Sequence, residues 1–129
     1  MNNAYKTWMA QNPRVEGVLA RGVRLPDKTT LNESYSKDFP LAVLDNVWRS
    51  VADAYQVFTM HRLPTVRMRW VYEKALVQCV RRNDGVILGL FTSPNRDQVD
   101  VEGLERLFAS FEALPGSRSE GGRAARTIG

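Results

Sequence analysis

Residues 77–91 read VQCVRRNDGVILGLF, two apolar runs on either side of an Asn-Asp-Gly turn at residues 83–85. An Asp-Gly pair between such runs is the typical signal of a tight β-hairpin, because these turns need residues with positive φ. The second run, continued to residue 92, is almost wholly apolar, which predicts a central strand covered on both faces of its sheet. The first run predicts the neighbouring strand over residues 75–82.

A third strand is predicted just before this hairpin, over residues 65–72. Its side chains alternate between two faces. One face carries Val66, Met68, Trp70 and Tyr72, and the other carries Thr65, Arg67, Arg69 and Val71.

A first hairpin is predicted near the N-terminus, over residues 15–25 and 29–35. Its turn begins at Pro26, which fixes φ for the first central position of a turn. The return strand is polar, as suits the edge of a sheet. Alternation in the first strand places Val18, Ala20 and Gly22 on one face and Leu19, Arg21 and Val23 on the other.

Three helices are predicted around these strands. The first covers residues 3–11 and the last is capped by Asp100. The long middle helix has Asp38 as its predicted N-cap, with Pro40 near the first helical position, and ends near His61. Its stripe is wide, which predicts burial against a sheet plus a second contact. The stripe consists of Leu41, Leu44, Val47, Trp48, Val51, Ala52, Ala54, Tyr55, Phe58 and Thr59.

The resulting order, α-β-β-α-β-β-β-α, predicts an α+β fold with three layers. A central five-stranded antiparallel sheet is covered by the long helix on one face and by the two terminal helices on the other. The predicted domain covers residues 1–115. Residues 116–129 have few apolar groups to bury, so we expect a disordered basic tail.

The composition excludes several kinds of site and partner. The chain has 129 residues, a formal charge of +4 and a single cysteine, so an internal disulfide and a multi-cysteine zinc site are excluded. No run approaches the roughly 20 apolar residues of a membrane span, and we expect a cytoplasmic protein. The positive charge is too modest to make nucleic acid the expected partner.

No catalytic constellation is apparent, so we expect neither an enzyme nor a bound cofactor or metal. His61 is the only histidine and has no partner residues at a spacing suited to acid–base chemistry. Its position suggests a residue at the C-terminal end of a helix. Cys79 lies among apolar neighbours and is better explained as a small buried side chain than as a nucleophile.

Residues 3–114 resemble the roadblock family, named for the dynein light chain roadblock. The best match is the hairpin at residues 77–91 and the following helix, VEGLERLFASFEAL. The chain departs from the family in two places. Its first hairpin turn is Leu25-Pro26-Asp27-Lys28, where the family commonly has an acidic residue and glycine, and its connection at residues 62–64 lacks a glycine.

The resemblance implies a non-enzymatic homodimer that binds a small Ras-like GTPase or a motor component. Bacterial members are similar to co-regulators of a polarity GTPase. Two copies would join their third strands edge to edge and pack their long helices together. The expected interface comprises Val66, Arg67, Met68, Arg69, Trp70, Val71 and Tyr72 of the strand and Trp48, Ala52 and Tyr55 of the helix. Alternatively, the strand is an ordinary edge protected by Arg67 and Arg69.

Several arginines suggest a second surface. If the third and fourth strands are neighbours, Arg62, Arg67, Arg69, Arg81 and Arg82 come near one region of the sheet. This group is either a solvated basic face or a patch that binds an acidic partner, for which Arg62, Arg81 and Arg82 are the candidate residues.

Two other function classes remain open. A small-molecule sensor of the profilin-like or PAS-like kind would need a cavity between the long helix and the sheet. A secretion-chaperone-like dimer would have a similar mixture of elements, but such chaperones tend to be acidic, whereas this chain is basic.

Overall fold

The computed structural model describes residues 2–61 and 67–115. The helices are α1 (Asn2–Gln11), α2 (Leu41–Met60) and α3 (Val101–Glu112), and the strands are β1 (Val18–Arg24), β2 (Thr30–Ser34), β3 (Arg67–Val71), β4 (Leu76–Arg81) and β5 (Ile87–Thr92). A short 3-10 helix, Arg96–Gln98, precedes α3 and was not expected from the sequence. The order α-β-β-α-β-β-β-α is confirmed.

The five strands form one antiparallel sheet in the order β2-β1-β5-β4-β3. Strand β5 is therefore central, and all six of its residues are buried. This confirms that its continuous apolar run belongs to a strand covered on both faces. Strands β2 and β3 form the two edges of the sheet.

The sheet separates two apolar clusters, so the three layers are confirmed. One cluster joins α1 and α3 to the sheet, and within it the rings of Tyr5 and Trp8 both contact the ring of Phe111. The other joins α2 to the opposite face through Leu44, Trp48, Val51 and Tyr55.

The start of α2 differs from the prediction. Its N-cap is Pro40, which is extended and offers no side-chain cap, so the prediction of Asp38 as N-cap is wrong. Phe39 packs against Phe91, with their ring centroids 5.6 Å apart. A residue before proline also avoids the helical region, and both effects delay the helix beyond Asp38.

A β-bulge changes the faces of β1. Val18 pairs with Thr92 and Ala20 pairs with Phe91, so Leu19 is an extra residue on β1. Val18 therefore faces α1 and α3, whereas Ala20 faces α2. The prediction that Val18 shares a face with Ala20 is wrong, because an inserted residue shifts the alternation of all positions before it.

Both tight turns use the same local geometry. In the turn after β4, the N–H of Gly85 donates to the carbonyl of Arg82, and the N–H of Arg82 donates to the carbonyl of Val86. In the turn after β1, the N–H of Lys28 donates to the carbonyl of Leu25, and the N–H of Leu25 donates to the carbonyl of Thr29. Gly85 has a φ of 89° and Lys28 a φ of 76°. In the hairpin β4–β5 only the glycine of the Asp-Gly pair has positive φ, as expected for a turn that closes with a glycine bulge.

Candidate functional site

Strand β3 forms an edge of the sheet and, among the described residues, pairs only with β4. Its side chains alternate, with Arg67, Arg69 and Val71 exposed and Met68 and Trp70 half-buried. The prediction of an alternating strand is confirmed for these five residues. Thr65 and Val66 lie outside the described residues.

The backbone of β3 presents hydrogen-bonding groups at its outer side. The N–H of Tyr72 donates to the carbonyl of Ala75, which makes these two residues a hydrogen-bonded pair of the antiparallel ladder. Because such pairs alternate with non-bonded ones, the N–H and C=O groups of Arg67, Arg69 and Val71 point away from β4. An incoming strand could pair with them.

The long helix carries more apolar surface than the sheet covers. Its core side is formed by Leu44, Trp48, Val51 and Tyr55. A second set of positions, called here the apolar flank, lies beside this stripe at helical spacing and is only half-buried or exposed: Val43, Val47, Ala54, Val57 and Phe58. The predicted second contact of α2 therefore has a surface available to make it.

The structure separates the predicted interface residues of α2 from this flank. Trp48 is buried and donates from Nε1 to the side-chain oxygen of Asn32 at 2.8 Å. Tyr55 is buried and donates to the carbonyl of Cys79 at 3.0 Å. Both side chains belong to the core of this fold and offer no surface to a partner. Ala52 is half-buried on the other side of α2, next to Arg49 and Asp53.

The hydrogen bond between the Tyr55 hydroxyl and the Cys79 carbonyl also shows which strands the C-terminal end of α2 covers. Cys79 pairs with Met68 of β3, so the C-terminal part of α2 lies over β4 and beside β3. Met68 and Trp70 pack against the same cluster as Val47. The exposed Val57 and Met60 follow Tyr55 on this part of the helix.

The structure divides the described members of the predicted arginine group between the two faces of the sheet. Arg67 faces α3, where its guanidinium lies 4.2 Å from the centroid of the Phe108 ring and forms an ion pair with Glu105 at 2.9 Å. Arg81 pairs with Ile87 and faces α2, on the opposite side of the sheet. Arg69 is exposed, and Arg62 lies outside the described residues.

Arg82 has a structural role. Its side chain donates to the carbonyls of Phe111 and Leu114 at 2.6 and 2.7 Å and forms an ion pair with Asp84 at 3.2 Å. Phe111 lies in the last turn of α3 and Leu114 follows the helix. A cation is favoured at this end by the helix dipole. Arg82 therefore fixes α3 to the β4–β5 hairpin and is not available as part of a partner patch.

The sequence does not predict the burial of one charged side chain, Arg21. Arg21 is 3% exposed and donates to the carbonyls of Met9 and Asn12 at the end of α1 and to Glu33 on β2. An arginine between apolar residues of a strand was the only sequence signal. Its role depends on a helix end that folds over it.

The structure places His61 at the end of α2 and Cys79 in the core, where the sequence predicts them. His61 is exposed and forms the C-cap of α2, where its N–H donates to Val57. Cys79 is buried, and burial raises the pKa of its thiol to about 12. At such a pKa the thiolate that a nucleophile requires is rare at neutral pH.

Among residues 2–61 and 67–115, no group of three or more His, Cys, Asp or Glu side chains is placed to hold a metal ion. None of the helices in this part of the chain is both long and apolar enough to cross a bilayer.

No protein-family model matches the chain, and no match was found among curated proteins. The candidate site is therefore defined by geometry alone. It consists of the outer edge of β3 and the apolar flank of α2.

Proposed function

We propose that this chain is a non-catalytic interaction module that forms a homodimer through β3 and α2. The supporting observation is where exposed apolar side chains concentrate. Of the seven large exposed apolar residues in the described part of the chain, four lie on the apolar flank of α2 or at the end of β3; they are Val43, Val57, Val71 and Tyr72. Surfaces of monomers usually scatter such residues.

A second copy fits this surface because a strand edge can pair with itself. A two-fold axis beside β3 brings two copies of the strand together antiparallel, and the outward N–H and C=O groups of Arg67, Arg69 and Val71 find equivalent partners. Strand addition then supplies hydrogen bonds, while the apolar flank of α2 supplies buried area.

The proposed partner of the dimer is a small Ras-like GTPase in the cytoplasm. This part rests on the roadblock resemblance and on the element order that the chain shares with it. The lone buried Cys79 fits a reducing compartment. The module would influence hydrolysis by positioning the loops of the GTPase itself.

The dimer is tested by measuring solution mass with light scattering on the chain and two aspartate variants. The wild type should have twice the monomer mass of 14.6 kDa. Val71→Asp should give a folded monomer, because Val71 is 71% exposed and its loss leaves the core intact. Val101→Asp is the matched control, since Val101 is also exposed but lies at the start of α3, where a carboxylate is tolerated.

A third variant tests edge pairing. Arg69→Pro removes an N–H that points away from β4, and proline is tolerated on the outer side of an edge strand. We expect the dimer dissociation constant to rise at least tenfold with the circular dichroism spectrum unchanged. A wild-type monomer at about 100 μM overturns the homodimer, and an unaffected Arg69→Pro dimer overturns pairing through β3.

The partner is tested separately with a panel of purified Ras-like GTPases. Each is loaded with GDP or a non-hydrolysable GTP analogue and passed over the immobilised wild-type chain. We expect binding that depends on the nucleotide and is lost in Val71→Asp. A dimer that binds no member of the panel in either state would contradict the GTPase assignment while leaving the dimer intact.

A further inference from the structure

An open cleft of about 580 Å³ lies between α2 and the end of the sheet where the turns after β1 and β4 meet. This volume falls within the range of small-molecule sites, about 300–1,000 Å³. Four cationic side chains and one carboxylate line it, which gives a formal charge of +3. The charged residues are Arg24, Lys28, Arg49, Asp53 and Arg81.

The cations come from two strands, the long helix and one turn. Arg24 and Arg81 both pair with Ile87, on either side of β5, so all three side chains face α2. At the usual spacing of strands, the Cα atoms of the two arginines lie roughly 10 Å apart across Ile87. Arg49 approaches from α2, one turn before Asp53, and Lys28 approaches from the turn after β1.

In the part of the chain that the structure describes, these cations lack the ionic partners that other arginines have. Arg21, Arg67 and Arg82 each form an ion pair at 3.2 Å or less. Within residues 2–61 and 67–115, no ion pair within 4 Å involves Arg24, Lys28, Arg49 or Arg81. Like charges that share a concave surface repel one another and raise the local concentration of anions.

Lys28 occupies a position that glycine would fill without strain. It is the only residue other than glycine with positive φ in the described part of the chain. The equivalent position in the adjacent turn is Gly85, and a Cβ built on Gly85 would lie 3.3 Å from Pro26. A strained backbone that places a cation in a cleft points to a role for that side chain.

We propose that this cleft binds a small molecule that carries a phosphate group. Arginine guanidinium groups match the geometry of phosphate oxygens, and three of them line the cleft. Pro26, Ala52 and Ile87 give it an apolar wall for the body of the ligand. Asp53 can accept a hydrogen bond from a hydroxyl or amine of that body.

The site is independent of the proposed dimer surface. The cleft residues Arg49, Asp53 and Gln56 lie on one side of α2, and helical spacing places the apolar flank on the opposite side. Loss of binding in the cleft and loss of the dimer are therefore separate outcomes.

The proposal is tested by NMR titration of the ¹⁵N-labelled full-length chain with sodium pyrophosphate and with AMP at constant ionic strength. We expect saturable shifts of the amides in the turn after β1 and at residues 81–87. Lys28→Gly should weaken binding at least fivefold and raise the melting temperature, because it removes the cation and the strain together. Arg81→Gln should also weaken binding, and Asp53→Asn should strengthen it.

Lys6→Gln on α1 is the control, since it removes an exposed cation away from the cleft. Shifts that do not saturate, or that are unchanged in Lys28→Gly and Arg81→Gln, overturn the site. Phosphatidylglycerol vesicles and a single-stranded oligonucleotide are tested in parallel. Binding to either of these without binding of pyrophosphate or AMP overturns the assignment to a small molecule.

Discussion

Arg21 and Glu33 form an ion pair that joins β1 to the edge strand β2. Arg21 is almost fully buried, whereas Glu33 is partly exposed, and they lie 2.8 Å apart. Burial alone would raise the pKa of Glu33. Hydrogen bonds from Tyr35 and Arg21, together with the charge of Arg21, outweigh it and lower the pKa of Glu33 below 4.5.

This pair predicts a specific dependence of stability on pH. Because the pKa of Glu33 is lower in the folded state, its contribution is complete above pH 4.5 and is lost as pH falls through the folded-state pKa. We expect Glu33→Gln to be less stable than the wild type at pH 7 and the difference to shrink as pH falls below 4.5.

Urea unfolding of both proteins at several pH values measures this difference. The other carboxyl groups titrate in both proteins, so their effect on the free energy of unfolding cancels in the difference between wild type and Glu33→Gln. A difference that stays constant down to low pH would contradict a role for the ionised Glu33 carboxylate.

One tryptophan and two glycines determine how closely the long helix packs against the sheet. Gly22 and Gly89 pair directly across β1 and β5, and the Trp48 ring lies over both. A Cβ built on Gly22 would lie 3.1 Å from the Trp48 ring and 2.1 Å from the side-chain oxygen of Asn32, and one on Gly89 would lie 3.2 Å from Trp48. Glycine is required here because the helix approaches the sheet closely.

Gly22→Ala should therefore destabilise the fold by about 2–3 kcal/mol, the upper part of the usual cost of overpacking a core. The added methyl displaces Asn32 and breaks its hydrogen bond with Trp48 Nε1. Chemical unfolding followed by tryptophan fluorescence measures the change. Ala109→Gly, at an exposed position within α3, is a control of similar size, with an expected loss of only about 1 kcal/mol. Equal effects in the two variants would argue against close packing at Gly22.

The whole molecule presents two separate surfaces on either side of α2. One is apolar and adjoins the unpaired edge of β3; the other is a cationic cleft at the end of the sheet. A dimer formed through the first leaves the second open to solvent. Substitutions in the cleft should therefore leave the solution mass unchanged, and Val71→Asp should still bind pyrophosphate.

The elements and their order could be predicted from the sequence because their signals are local. The alternation of β3, the apolar run of β5 and the wide stripe of α2 each lie within one segment, and a period of two or 3.6 residues is a property of that segment. The three-layer arrangement follows, since each element must bury its apolar side.

The details that depend on distant contacts could not be predicted in this way. The face of Val18 depends on a bulge in its pairing with β5. The delayed start of α2 depends on Phe39 packing against Phe91. The separation of Arg81 from Arg67 and Arg82 depends on the register of β3 and β4 and on the helices that cover each face.

The sequence by itself determined the α+β class, the order of eight elements and the central position of β5, because periodicity and turn chemistry act between near neighbours. Only the tertiary structure decided that Trp48 and Tyr55 belong to the core, that Arg21 is buried against a helix end, and that Arg24, Lys28, Arg49 and Arg81 share a cleft. These are contacts between residues far apart in the chain, and no local pattern encodes them.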